Sequence, residues 1–167
     1  MSYNLDPEKL TKEDWLFNNC RERSFYIIEN SPKTEFQLRR KLKMSKKYPD
    51  DIIERTIDFL KQHKYIDDIA FTERFIEINK NIKSKKQIIS KLYEKGVNRE
   101  IIDNSVNKLM DELDDLTVAK RFLLKKCPNY YEIHSDMDRD EKNKLYGYLA
   151  RKGLSYESIS SIMKVDL

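Results

Sequence analysis

The sequence predicts an all-α protein made of three tandem three-helix repeats that form an elongated, curved array. Three observations lead there. Only three glycines and four prolines occur in 167 residues, too few backbone breakers for a turn-rich β fold. Most of the dominant residue types, Lys, Glu and Leu among them, are good helix formers. Finally, the chain repeats itself. "YIDDIAFTERF" at 65–75 returns as "ELDDLTVAKRF" at 112–122, with Asp67 matched by Asp114 and Phe75 by Phe122, each 47 residues later. A recurrence of this length marks a repeat architecture.

The similarity extends beyond that motif. "YPDDIIERTIDFL" at 48–60 aligns with "VNREIIDNSVNKL" at 97–109 and with "LSYESISSIMKV" at 154–165. Ile53, Ile102 and Ile159 then coincide, as do Ile57, Val106 and Met163. Upstream of each copy lies a middle helix in which Leu42, Leu92 and Leu149 are equivalent. The organisation expected is an N-terminal extension over 1–11 and repeats over 12–64, 65–111 and 112–167. Helices are expected at 12–29, 34–43, 50–63, 68–80, 85–95, 99–111, 116–126, 139–152 and 156–164, with 127–138 as a longer loop.

Local signals support these limits. Thr34 and Gln37 have capping-box spacing, and Thr11 with Asp14 resembles one. Pro32 and Pro49 suit a first helical turn, where a missing N–H costs nothing. Gly96 and Gly153 suit left-handed positions that end a helix, and Asn98 and Ser155 follow as N-caps. The pairs Asp67-Asp68 and Asp114-Asp115 sit where helices must begin, so capping is preferred to a catalytic or metal-binding role. Phe71, Phe75 and Phe122 fall at helical spacing among aliphatics and read as core. Trp15 is expected to pack the first helix, and Tyr130-Tyr131 to cover the long loop rather than stack on a base.

Several functions are disfavoured. No apolar run of about 18 residues suggests a membrane span, and the polar, acidic N-terminus lacks the pattern of a signal peptide. Two isolated cysteines, Cys20 and Cys127, suit a reducing cytoplasm better than a disulfide framework. "DMDRDE" at 136–141 lacks the glycine and glutamate of a calcium loop, since Glu141 and Gly147 stand at those positions. His63 and His134 are isolated and read as surface residues, and no glycine-rich phosphate loop can be built. No cofactor or metal is expected, and nothing in the chain asks for an enzyme.

At this point the residues resemble a known family. "YIDDIAFTERFIE", then "IISKLYEKGVNREII", then "YLARKGLSYESI", in that order and spacing, are similar to the RecX family of RecA regulators. The likeness runs from about residue 22 to residue 165. It rests on Tyr65 to Asp68 with Phe71 and Phe75, on Leu92 with Lys95-Gly96-Val97, and on Leu149 with Arg151 to Ser155. The resemblance implies a non-enzymatic regulator of recombination and DNA repair that lies in the groove of the RecA–DNA filament and mainly inhibits RecA. A monomer is expected.

Charge distribution bears on how such a partner would be held. Net charge is only +4, but the middle helix of every repeat is basic. Phe36 to Lys47 carries six cations and no acid, Lys80 to Arg99 seven cations and one acid, and Lys142 to Lys152 four cations and no acid. The third helices of repeats one and two are acidic. Equivalent helices of a solenoid share a surface, so the cations would form a stripe that attracts phosphates or an acidic protein groove. The candidate partner-binding residues are Arg39, Arg40, Lys43, Lys83, Lys85, Lys86, Lys91, Lys95, Arg151 and Lys152. Direct binding of single- or double-stranded DNA by these helices is the alternative, and mutual neutralisation of neighbouring helices is the non-functional reading.

Overall fold

Every regular element of the computed structural model, which describes residues 11–109 and 115–163, is a helix. The first repeat supplies α1 (Lys12–Asn30), α2 (Glu35–Ser45) and α3 (Asp50–Gln62). The second supplies α4 (Asp68–Asn79), α5 (Lys85–Glu94) and α6 (Arg99–Lys108). The third supplies α7 (Asp115–Lys126), α9 (Arg139–Arg151) and α10 (Tyr156–Met163), with a single turn, α8 (Tyr130–Ile133), inside the segment expected as loop. Most of the N-terminal extension, the end of the expected 99–111 helix, Asp114 and residue 164 lie outside the described residues.

The helices start and stop where their chemistry directs. Thr11 caps α1 by accepting from the Asp14 N–H at 3.1 Å, and its hydroxyl donates to the Asp14 carboxylate at 2.7 Å. Thr34 and Gln37 form the complete capping box of α2, and Ser155 accepts from the Ser158 N–H at the start of α10. The middle helices end on left-handed residues, Lys46 (φ 55°), Gly96 (φ 76°) and Gly153 (φ 83°).

Two compact units emerge from the packing: Met1–Phe71 with Lys95–Asn98, and Thr72–Glu94 with Arg99–Leu167. In the first, Cys20 and Ile27 of α1 meet Leu38 and Leu42 of α2 and Ile52, Ile53, Ile57 and Leu60 of α3. In the second, Val118, Ala119 and Leu123 of α7 pack with Tyr130, with Leu145 and Leu149 of α9, and with Ile159, Ile162 and Met163 of α10. The residues matched by the repeat share one fate. Ile53, Ile102 and Ile159 are each 0% exposed, and Ile57, Val106 and Met163 are all buried. Each such side chain contributes about 1.5–3 kcal/mol on leaving water.

A recurring interlock joins successive repeats. In the first unit, the buried Thr34 hydroxyl accepts from the Gln37 N–H at 3.2 Å and donates to the Lys95 carbonyl at 2.6 Å. In the second, the buried Ser84 hydroxyl accepts from Gln87 at 3.3 Å and donates to the Lys152 carbonyl at 2.7 Å. One oxygen thus satisfies an orphan N–H at one helix start and an orphan carbonyl at another helix end. An aspartate adds to each junction. Asp68 accepts from the Glu35 N–H at 2.9 Å, and Asp115 from the Lys85 N–H at 3.1 Å. The aspartate pair at 67–68 therefore divides its work: Asp67 caps its own helix through Ile69 and Ala70, whereas Asp68 reaches the middle helix of the preceding repeat.

The glycines are demanded by this junction and not by dihedral angle alone. A β-carbon on Gly96 would lie 2.4 Å from the Phe36 Cβ, and one on Gly153 would lie 3.0 Å from the Lys86 Cβ and 3.1 Å from the Ser84 Oγ. Lys46, at the equivalent helix end of repeat one, adopts the same backbone form and keeps an exposed side chain. Gly96→Ala should therefore cost about 2–4 kcal/mol in urea denaturation, from strain plus overpacking, whereas Lys46→Gly should stay within about 1 kcal/mol of the parent. Thr34→Val should cost about 2–3 kcal/mol by the same measurement, because a cap and a buried carbonyl lose their partner together. Equal effects of Gly96→Ala and Lys46→Gly would contradict the packing account.

Candidate partner-binding surface

In the first unit the middle helix neutralises much of its own charge. The Arg39 guanidinium holds both oxygens of Glu54, at 2.9 Å from Nε and 2.8 Å from Nη2, and also donates to Glu35 at 2.8 Å. Lys61 completes the group by pairing with the other Glu35 oxygen at 2.7 Å. The Arg39 side chain is 28% exposed, so this fork ties α2 to α3 more than it projects charge. Burial alone would raise the Glu35 carboxyl, but hydrogen bonds from Lys61 and Arg39 outweigh it and hold it below the ordinary range. The Arg39 hydrogen bond lowers Glu54 as well. Lys43 pairs with Asp50 at 3.2 Å. Arg40 is exposed and, among the described residues, makes no ion pair.

Lys95 belongs to a cluster that the sequence did not announce. Its Nζ lies 5.8 Å from the centre of the Phe71 ring, a cation–π geometry. Lys33 is held below the ordinary lysine range by burial and then by the charges of Lys41 and Lys95. Lys33 thus lies within electrostatic reach of two lysines from distant places in the sequence. Lys41 and Lys95 belong to the basic runs of two different repeats and Lys33 to neither, so run-counting could not have found the set.

In the second unit the cations of α5 are less committed. Lys83 donates to the Asn79 side-chain oxygen, and Lys91 pairs with Glu94 one turn away at 2.6 Å. Lys85 and Lys86 make no ion pair among the described residues. Both line an open cleft of about 430 Å³, together with Ile89, Asp115, Ala150, Gly153, Leu154 and Ser155. Arg151 is exposed. Lys152 lies over the rings of Phe122 and Tyr148, at 5.7 and 5.3 Å. The structure therefore separates the named cations into tethers (Arg39, Lys43, Lys83, Lys91), ring-covering cations (Lys95, Lys152) and exposed charges (Arg40, Lys86, Arg151), with Lys85 half-buried at the cleft.

Several aromatic expectations change. Trp15 is 60% exposed, because α1 turns Cys20, Ser24 and Ile27 inward and leaves Trp15 on another side. Phe71, Phe75 and Phe122 are half-buried, standing at the edges of the cores. Tyr130 is fully buried and donates to the Met163 carbonyl at 2.9 Å, while Tyr131 donates to Ile162 at 3.2 Å. These tyrosines fasten the long connection to α10 and offer no stacking platform. His134 is half-buried, with its ring beside Tyr130. Among the described residues, no group of three or more His, Cys, Asp or Glu could hold a metal ion. Nor is any helix among them long and apolar enough to cross a membrane.

Reiterated helical triplets joined by a common lock define an all-α tandem-repeat protein. A family model described as the first three-helix domain of RecX matches residues 20–60. Regulatory protein RecX of Clostridium beijerinckii is 34% identical over 165 residues, which is 96% of this chain and 75% of that protein. The Clostridium botulinum (strain Alaska E43) protein of the same name is 31% identical over 163 residues, again 96% and 75%. The crystal structure of RecX from Lactobacillus salivarius superposes with a TM-score of 0.72 at 20% identity, over 89% of this chain and 95% of that one. A second crystal structure, of regulatory protein RecX, gives 0.76 at 20% identity, over 98% and 80%. The chain belongs to the RecX family of regulatory proteins.

The α2–α3 fork carries a pH dependence whose sign follows from the lowered carboxyls. Glu35 and Glu54 bind protons less readily folded than unfolded. The unfolded chain therefore takes up more protons below pH about 4.5, and stability falls as pH falls through that window. Arg39→Met should lower stability at pH 7 and flatten its dependence below pH about 4.5, read from urea midpoints at stepped pH. An unchanged slope would show that the fork does not set it.

Proposed function

We propose that this protein regulates homologous recombination and DNA repair by binding the RecA–DNA filament along its groove and restraining RecA activity. The observation that carries this reading is the match of 96% of the chain to regulatory proteins named RecX. The repeat architecture supports it. An array of similar modules can touch successive protomers of a polymer, so weak contacts add through effective concentration. The uncommitted cations support it as well. Lys85, Lys86, Arg40 and Arg151 keep their charge available for an acidic groove, and long-range steering speeds such an encounter. In this reading the protein acts as a monomer in the cytoplasm, without a cofactor and without catalysis of its own.

The same cations would serve direct DNA binding, and salt dependence separates the two. Affinity for naked DNA falls steeply with log salt when phosphate contacts carry it. We expect RecA–single-stranded DNA filaments to bind at least tenfold more tightly than naked strands at equal salt, and filament ATPase and strand exchange to slow in the presence of this protein. Replacing Lys83, Lys85 and Lys86 together by Glu should weaken filament binding at least tenfold, about 1.4 kcal/mol, measured by fluorescence anisotropy. Full affinity in that variant would remove the basic surface from the account. Stronger binding to naked DNA than to filaments would favour the direct reading.

A further inference from the structure

The two interlocks are built alike but finished differently. At the first, Phe36 stands two residues after the cap Thr34 and closes its ring over Gly96. Arg39, five residues after the cap, is drawn into carboxylate pairs. At the second, the same positions after the cap Ser84 are Lys86 and Ile89. Lys86 lays only its aliphatic stem near Gly153, with its Cβ at 3.0 Å and its Cδ at 3.3 Å from a would-be β-carbon. The cleft described above opens at this second junction. Its apolar wall is Ile89, Ala150 and Leu154, its cations are Lys85 and Lys86, and Asp115 closes one side by holding the Lys85 N–H.

We infer that the cleft at the second repeat junction seats an acidic peptide segment of a protein partner, with one apolar side chain inserted against Ile89, Ala150 and Leu154 and flanking carboxylates met by Lys85 and Lys86. Charge complementarity selects an acidic occupant, and the aliphatic wall selects a side chain over a sugar or phosphate. Nucleic acid fits less well, because the lining holds no aromatic ring on which a base could stack. The Asp115 carboxylate also interrupts the cationic track that a phosphate chain would follow. The first junction lacks this chemistry, since Phe36 and the Arg39 fork occupy the corresponding positions. The inference deepens the proposed function, and rests on it, only in taking the partner to be protein.

The test uses the full chain, isotopically labelled for amide spectra. The probe is a short peptide of Asp and Glu with one central Leu. Controls are the same peptide with Ser for Leu, and a short oligothymidylate. The Leu peptide should shift the amides of Lys86, Ala150 and Leu154, and the Ser peptide should bind about tenfold or more weakly. Ala150→Phe, at an exposed position that fills the cleft, should abolish peptide binding while leaving the thermal midpoint near the parent's. Lys86→Glu should weaken binding without filling the cleft. Oligothymidylate shifting these residues more strongly than the Leu peptide would overturn the inference. So would undiminished peptide binding by Ala150→Phe. Filament binding is read in parallel. If wild-type protein binds filaments but Ala150→Phe binds them and the peptide as well as wild type does, the cleft inference falls and the regulatory reading stands. If the peptide binds the cleft but wild-type protein ignores filaments, the regulatory reading falls and the cleft stands.

Discussion

The structure depends on one small economy: a hydroxyl that serves two helices at once. Short helices are marginal alone because nucleation is costly, and when they pack together their buried ends leave backbone groups that need partners. Thr34 and Ser84 each close such an end on their own helix and, with the other half of the same oxygen, close the end of a helix in the next repeat. Because both hydroxyls are buried, neither bond is easily exchanged for one to water. Glycine is required at 96 and 153 because the same docking brings Phe36, and Lys86 with Ser84, against the residue that follows each carbonyl. Among the described residues, no buried side-chain oxygen or nitrogen lacks a hydrogen-bond partner.

That lock also shapes the electrostatics. Docking brings the starts of the first two middle helices against an aspartate, so both junctions contain a partly buried acid. At Asp68, burial is the leading influence and raises the carboxyl above its ordinary range. Around it, Glu35, Arg39, Glu54 and Lys61 form a closed set in which each charge has an opposite. At Asp115 no such set assembles among the described residues, because Lys85 and Ile89 replace Glu35 and Arg39. The same scaffold thus spends one set of charges on cohesion and leaves another facing outward.

The all-helical repeat was legible because burial enforces periodicity: Ile53, Ile102 and Ile159 could be matched by eye and all three proved fully buried. Helix ends at Thr34, Gly96 and Gly153 were legible because capping chemistry is local. What was illegible is what depends on partners far apart in sequence. The spacing Thr34 to Gln37 could be read as a cap, and its echo, Ser84 to Gln87, was there to be noticed. Nothing local tells that either hydroxyl also reaches a carbonyl 61 or 68 residues away. Asp68 was expected to cap its own helix for the same reason. In the candidate surface, counting lysines located the basic helices but could not tell Arg39, held by two carboxylates, from Arg40 beside it, which is not. Trp15 escaped because hydrophobic residues on a weakly amphipathic helix do not announce which side is inward.

The last helix is eight residues long, shorter than a sequence needs to hold a helical form unaided in water. Its backbone carbonyls at Ile162 and Met163 are gripped by the two tyrosines of the long connection. In effect α10 is a ligand tethered to its own receptor, and its helicity is a bound state more than an intrinsic property. The third module would then finish folding by capture: α7, α9 and the two tyrosines together present the template on which the terminal segment winds.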